Sequence, residues 1–307
     1  MTTAPSFVGR LSDGFWRRPR LLLFLLLLPP LLWLGIIYLG SLFALLAQSF
    51  FSIDQFSGVV KHELTLDTYA ELGRPANLDI IWRTVLMAAL VTVASVAVAF
   101  PIAYYAARYA KGRWKALFYL GAMVPLWSSY LVKVYAWKLI LAKEGIIGWI
   151  FAKLHLTPLL EGYLAIPGVG GNSLSVSPTG TFIVFVYVWL PYMILPIQAA
   201  LERVPPSLVE AAGDLGATPA QTFRSVLWPL ALPGVVAGSI FTFSLTLGDY
   251  IIPQIIGTSA RFIGLAVYQY QGTAGNVPLA AAFAVVPVVI MGLYLTVAKR
   301  MGAFDAL

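Results

Sequence analysis

The chain has 307 residues, 60% of them hydrophobic and 11% charged, with a formal charge of +7. Soluble domains carry about 25% charge, so a water-soluble fold of this length would expose more apolar surface than it could cover, and lipid is the expected solvent. No Cys is present, which excludes a disulfide framework, a thiolate metal site and a catalytic thiol.

Residues 1–20 form a basic leading segment containing Arg10, Arg17, Arg18 and Arg20. The charge-free run over 21–47 far exceeds the roughly 7–15 residues of a signal-peptide apolar region. It reads as an uncleaved first span, bent at Pro29-Pro30 as neighbouring helices in a bilayer allow. A charged loop over 50–79 leads to a second span over 80–107, with Arg83 near its outer end, where it can snorkel toward water. A short basic turn follows at Arg108, Lys111, Arg113 and Lys115. The third span is expected over 116–135, with Lys133 and Lys138 near its far end. Segment 139–158 mixes charged and apolar residues and reads as interfacial.

The next charge-free run is interrupted between Pro167 and Asn172, which starts the fourth span near 179 and carries it to 200. A polar loop covers 201–231, and a fifth span is expected over 233–248. A broken stretch with Asp249, Pro253, Gly257 and Arg261 precedes a sixth span over 277–297, which stops at Lys299-Arg300 before a tail over 301–307. The alternation of a membrane β-barrel is absent. The expected fold class is therefore all-α: a polytopic membrane bundle of about six transmembrane helices, forming one permease domain over 21–300.

Basic residues collect on one side of these spans. By the positive-inside rule both termini, the 108–115 turn and the 201–231 loop face the cytoplasm. The charge excess is thus a topology signal. Loops lack the Lys/Arg runs interleaved with aromatics that a nucleic-acid groove needs, so no nucleic acid is expected as a partner.

The 201–231 loop is closely specified. Ser207 with Glu210 three residues later has the pattern of a capping box, in which each side chain satisfies a free N–H at a helix start. The helix so begun would run through Leu215 and end at Gly216, a residue suited to the left-handed conformation of a helix stop. Thr218 then repeats the signal, with Pro219 at the first helical position and Gln221 three residues after the cap. Pro229 and Pro233 are expected to limit this second helix and introduce the fifth span. Ala211 and Ala212 leave one face with little bulk, so another surface could approach closely.

Glu210-Ala211-Ala212, then Gly216 and the ending Val226-Leu227-Trp228-Pro229, resemble the EAA loop of ABC importer permeases. The family pattern prefers Ile and Leu at Val226 and Trp228. The resemblance implies a MetI-like permease fold and makes this loop the coupling helix that docks into a groove on a separate ATPase. It points to Glu210, Ala211, Ala212, Gly216 and Pro229 as ATPase-coupling residues. It also implies an ABC ATPase dimer, a second permease subunit and a periplasmic or lipid-anchored solute-binding protein as partners, with a location in the inner membrane. No cofactor is expected on this chain; ATP and Mg would sit on the ATPase. The sequence agrees in lacking G-x-x-x-x-G-K-[ST]. Its two histidines, His62 and His155, fall outside the spans, and no metal site is expected.

The stretches 124–133 and 247–257 resemble PotB-type subunits of spermidine/putrescine importers, which implies a polyamine as the solute and a PotC-type chain as second permease. Relatives importing other small cationic or amino solutes, opine-like compounds or iron chelates share similar stretches. Asp249 is the one acid at or near membrane depth, beside Tyr250, and intramembrane ionisable groups are functional candidates. With Trp127, Tyr130, Tyr187, Trp189 and Tyr192 it could hold an ammonium group by charge and cation–π attraction. Equally, Asp249 could cap a broken helix while the aromatics form an interfacial belt. An ion-coupled secondary carrier is the alternative class; such carriers often show inverted repeats and more buried ionisable groups.

Overall fold

The computed structural model describes residues 19–54, 57–258 and 261–300. Arg10, Arg17, Arg18 and the 301–307 tail lie outside the described residues. The elements are almost all helical. Helix α1 is Pro19–Gln48, and a short hairpin of β1 (Ser52–Ile53) and β2 (Val60–Lys61) follows. Then come α2 (Asp67–Leu72), α3 (Pro75–Arg108), α4 (Arg113–Trp127), α5 (Tyr130–Ile140), α6 (Ile146–Lys153) and α7 (Thr157–Leu164). The second half contains α8 (Pro178–Glu202), α9 (Pro206–Asp214), α10 (Pro219–Gly248), α11 (Ile251–Ile255), α12 (Ile263–Gly272) and α13 (Val277–Arg300). Among the described residues five helices are long and apolar enough to cross a bilayer, and the α4–α5 pair supplies a sixth crossing if counted as one bent span.

The core is built on α3, α8 and α10. Ala99, Phe100 and Ala103 of α3 pack with Met193, Ile194 and Ile197 of α8 and with Ala231 and Val235 of α10. A second cluster around Phe185, Val188 and Trp189 joins α8 to Val134 of α5 and Ile252 of α11. In lipid the force between helices is close packing rather than water exclusion, so small residues bring backbones together. Gly234 and Gly238 on α10 supply this. A Cβ at Gly234 would lie 2.5 Å from the Pro196 carbonyl oxygen and 2.6 Å from Ala200 Cβ, both on α8. A Gly234→Val substitution therefore has to push the helices apart, costing roughly 1–3 kcal/mol by overpacking. The expected result is a lower unfolding temperature of the detergent-purified chain; an unchanged one would mean that α8 and α10 do not meet there.

Four buried threonines in the helices are satisfied locally. Thr84, Thr92, Thr242 and Thr246 each donate to the carbonyl four residues earlier. Thr84 Oγ1 also accepts the Ile263 N–H at 3.0 Å, fixing the start of α12 against α3.

Several boundaries differ from the sequence-based expectation. The third span is not a straight helix over 116–135: α4 and α5 meet at 97°. Ser128 and Ser129 at the junction have extended backbones, and the Pro125 carbonyl accepts Lys133 Nζ at 2.7 Å across the bend. A cation at the carbonyl end of α4 offsets its unpaired acceptors and its dipole. The fifth span does not begin at Pro233. Helix α10 starts at Pro219 and passes through a π-helical stretch at Phe223–Leu227 before Pro229. The wider ring, in which the Trp228 N–H reaches the Phe223 carbonyl, relieves the clash a proline makes with the preceding turn. Likewise α1 runs past Pro29-Pro30 without a break and widens into a π-helical stretch over Trp33–Leu39. Residues 139–158, not expected to span, hold the end of α5, all of α6 and the start of α7, whereas α12 fills part of what reads in sequence as a broken stretch.

Candidate functional site

Two regions bring together the residues singled out by the sequence. The first is the loop between α8 and α10. Its helix α9 begins at Pro206, with Pro205 as the cap, so Ser207 lies inside the first turn and makes no capping bond. The Ser207/Glu210 capping box is not formed. The reason is local: Pro206 lacks the N–H that the first helical position leaves unpaired, and its fixed φ starts the helix ahead of the serine.

The end of α9 is closed by a double bond pattern. The Gly216 N–H donates to the Gly213 carbonyl at 2.8 Å, and the Ala217 N–H donates to the Ala212 carbonyl at 2.9 Å. These are the two bonds of a Schellman motif, and they require Gly216 to be left-handed, as its φ of +79° shows. The second cap forms as expected. Thr218 Oγ1 accepts the Gln221 N–H at 3.3 Å, Gln221 Oε1 accepts the Thr218 N–H at 2.8 Å, and Pro219 occupies the first turn. Replacing Thr218 with Ala is expected to cost about 1 kcal/mol, typical of a lost N-cap. Because the cap orders α9 relative to α10, the check is faster proteolytic nicking at 214–218 in the variant.

The loop turns its residues outward. Glu210 and Ala211 are exposed, and so are the apolar Leu208 and Leu215, the latter at 88%. Pro229 lies at the resumption of regular α-helix in α10. Trp228 packs its ring 5.6 Å from Phe100 of α3 and 6.3 Å from Phe223, so the larger side chain where the family pattern prefers Leu is accommodated.

The second region is the end of α10. Asp249 Oδ1 accepts the Ile252 N–H at 2.9 Å, capping α11, while its Oδ2 accepts the Tyr130 hydroxyl from the start of α5. Of the roles read from the sequence, the helix cap is formed, and the carboxylate is also bonded to one of the aromatics named with it. Tyr130 stacks on Trp189 of α8 at 5.8 Å, and Trp189 meets Tyr192 edge-on at 5.9 Å. Trp189 is buried, and its indole N–H has no hydrogen-bond partner among the described residues. Tyr250 points to a different neighbour and stacks on Tyr268 of α12 at 4.9 Å. Tyr187 pairs with Trp137 at 5.0 Å. Trp127 does not join the buried cluster; it is 79% exposed at the bend after α4. Two participants were missed from the sequence: Trp137, and Lys133 as the group that bridges the bend. A Lys following a Ser-Ser pair and a Pro inside a span was the available signal for the bridge.

Residues 99–303 match the family of binding-protein-dependent transport system inner membrane components. The inner membrane ABC transporter permease protein YdcU of Escherichia coli (strain K12) is 57% identical over 300 residues, covering 98% of this chain and 96% of that protein. The spermidine/putrescine transport system permease protein PotB of the same organism is 29% identical over 260 residues, covering 83% of this chain and 89% of that one. Among solved structures, the bacterial alginate ABC transporter bound to its periplasmic protein aligns with a TM-score of 0.72 at 17% identity, over 95% of this chain and 97% of that chain. At that identity the alignment speaks for the fold alone. The chain belongs to the family of binding-protein-dependent transport system inner membrane components: it is a multi-pass inner-membrane permease subunit of an ABC importer, not the subunit that hydrolyses ATP.

Proposed function

We propose that this permease forms one half of the membrane path for a small polyamine, such as spermidine or putrescine. A separate ATPase dimer, carrying ATP and Mg, would act on it through the cytoplasmic 201–231 loop. The observation that carries the substrate reading is the Asp249 carboxylate, bonded to Tyr130, whose ring stacks on Trp189 and so continues into the Trp189–Tyr192 pair. A carboxylate beside aromatic faces offers an ammonium group both charge and cation–π attraction. The 29% identity to PotB adds support from sequence. The same relationship supports a PotC-type chain as the second permease and a periplasmic or lipid-anchored protein as the receptor. Family membership removes the ion-coupled carrier from consideration.

The mechanism is alternating access. ATP binding closes the ATPase dimer and displaces the coupling loops, and the two membrane halves rock outward. The loaded receptor releases its solute into the opened path, and hydrolysis resets the assembly. Glu210, Ala211, Ala212 and Gly216 form the docking surface in this reading, and Leu208 and Leu215 add exposed apolar contacts.

The experiment is direct. The assembled importer is reconstituted in liposomes with its binding protein, and uptake of radiolabelled spermidine and putrescine is followed with and without ATP inside. Retention of a polyamine by the binding protein and ATP-dependent accumulation are the expected results. A binding protein that retains only an opine, an iron chelate or another amino solute would overturn the substrate but leave the importer.

A further inference from the structure

Beyond the two regions described, one polar cluster has no role in the account so far. Glu202 is the last residue of α8, with only residues 203–205 separating it from α9. Its carboxylate accepts Tyr119 Oη at 2.8 Å, Lys115 Nζ at 3.0 Å and Gln198 Nε2 at 3.3 Å. Lys115 and Tyr119 stand four positions apart on α4, hence on one face. The cytoplasmic end of α4 is thus fastened to the point where the chain leaves α8 for the coupling loop.

The other limb of the same bent span is fastened elsewhere. Tyr130, the first residue of α5, donates to Asp249 just past the end of α10. Between the limbs, Lys133 bridges to the Pro125 carbonyl over the extended Ser128-Ser129 junction. The α4–α5 unit is therefore tied to α8 at one end and to the terminus of α10 at the other. These are the two helices on which the coupling loop is strung, and they touch closely at Gly234 and Gly238. A rotation of α10 against α8 about that contact moves the two ties relative to each other. The place able to absorb the change is the Ser128-Ser129 junction, whose extended residues lie outside both helices.

We propose that the bent third span is a lever. Glu202 is the positioning residue at its cytoplasmic end, and displacement of the coupling loop changes the bend at Ser128-Ser129 and frees Asp249 from Tyr130. The proposal rests on the reading of the 201–231 loop as the ATPase-docking element. It adds the route by which that movement reaches the membrane carboxylate.

The absence of Cys from this chain makes the test specific. Spin labels at Leu117→Cys on α4 and Val132→Cys on α5, exposed by 55% and 65%, read the bend by dipolar spectroscopy. The complete importer, with partner cysteines replaced, is measured in nanodiscs with and without vanadate-trapped Mg-ATP. Trapping is expected to shift the label distance in the parent. Glu202→Ala is expected to lose that shift and to lower uptake roughly 5-fold or more, the lower bound of ordinary coupling between sites. The exchange Lys115→Glu with Glu202→Lys is expected to restore both, which ties the effect to this ion pair. Tyr119→Phe, lacking a single hydroxyl, serves as the milder variant where Glu202→Ala does not assemble, and should reduce the shift. No shift in the parent, or a full shift in Glu202→Ala or Tyr119→Phe, overturns the lever, as does an exchange that restores neither readout. Failure of the parent chain to co-purify with the ATPase instead overturns the coupling-loop reading itself.

Discussion

Gly216→Val is expected to abolish uptake while the chain remains inserted and folded. Gly216 is left-handed at φ +79°, and among the described residues, its chain neighbours aside, nothing lies within 4 Å of where its Cβ would stand. The cost is therefore conformational, not steric crowding by neighbours. A left-handed backbone costs an L-residue roughly 1–2 kcal/mol, and β-branching makes it a genuine outlier. An exposed connection can escape that cost by unwinding the Schellman bonds from Gly216 and Ala217, and α9 then loses its fixed angle to α10. Core packing on α3, α8 and α10 lies elsewhere, so insertion persists. A graded series separates this cause from simple bulk at a docking face. Asn is larger than Ala yet tolerates the left-handed region better, so uptake should follow Gly, then Asn, then Ala, then Val. Uptake and membrane content would be measured side by side. A ranking by side-chain volume, with Ala ahead of Asn, would sink the conformational explanation, and normal uptake by Gly216→Val would remove the loop from the coupling path.

How much could be read before the structure depends on the reach of each interaction. Spans one, two, four and six were legible because charges bound long apolar runs at Arg20, Arg108, Glu202 and Lys299. The bend in span three was not, because Pro125 alone is compatible with a straight or kinked helix. What settles it is the Lys133 ammonium eight residues away, on a helix that has already turned. The start of span five was misplaced because Pro229 reads as a stop unless a π-helical turn lies before it, and periodicity does not announce one. The two capping patterns are instructive together. Thr218 precedes its proline and caps; Ser207 follows one and does not. Residue spacing alone treats them alike, while the proline decides which residue can sit at the first helical position. The pairing of Tyr130 with Asp249 spans 119 positions of sequence and is a product of the fold.

That same pairing makes Asp249→Asn the most informative change at the membrane carboxylate. Asp249 does two jobs with two oxygens: one caps α11 through Ile252, and the other receives Tyr130. Asn keeps an acceptor for the Ile252 N–H, so the cap survives, but it has no charge. Ala removes both. A hydrogen bond to a charged group is worth about 1.5–3 kcal/mol, and each 1.4 kcal/mol is a factor of ten in affinity. Loss of the charge should therefore lower polyamine uptake by roughly tenfold or more with little change in thermal stability. Asp249→Ala should add about 1 kcal/mol of destabilisation from the lost cap. The measurement is uptake against polyamine concentration, paired with the unfolding temperature of each variant in detergent. Should Asn transport like the parent while Ala fails, the carboxylate is only a helix cap, and the ammonium would have to be met elsewhere along the path. A loss in Asn with unchanged unfolding temperature separates the charge from the cap, because Asn keeps the acceptor that the Ile252 N–H uses.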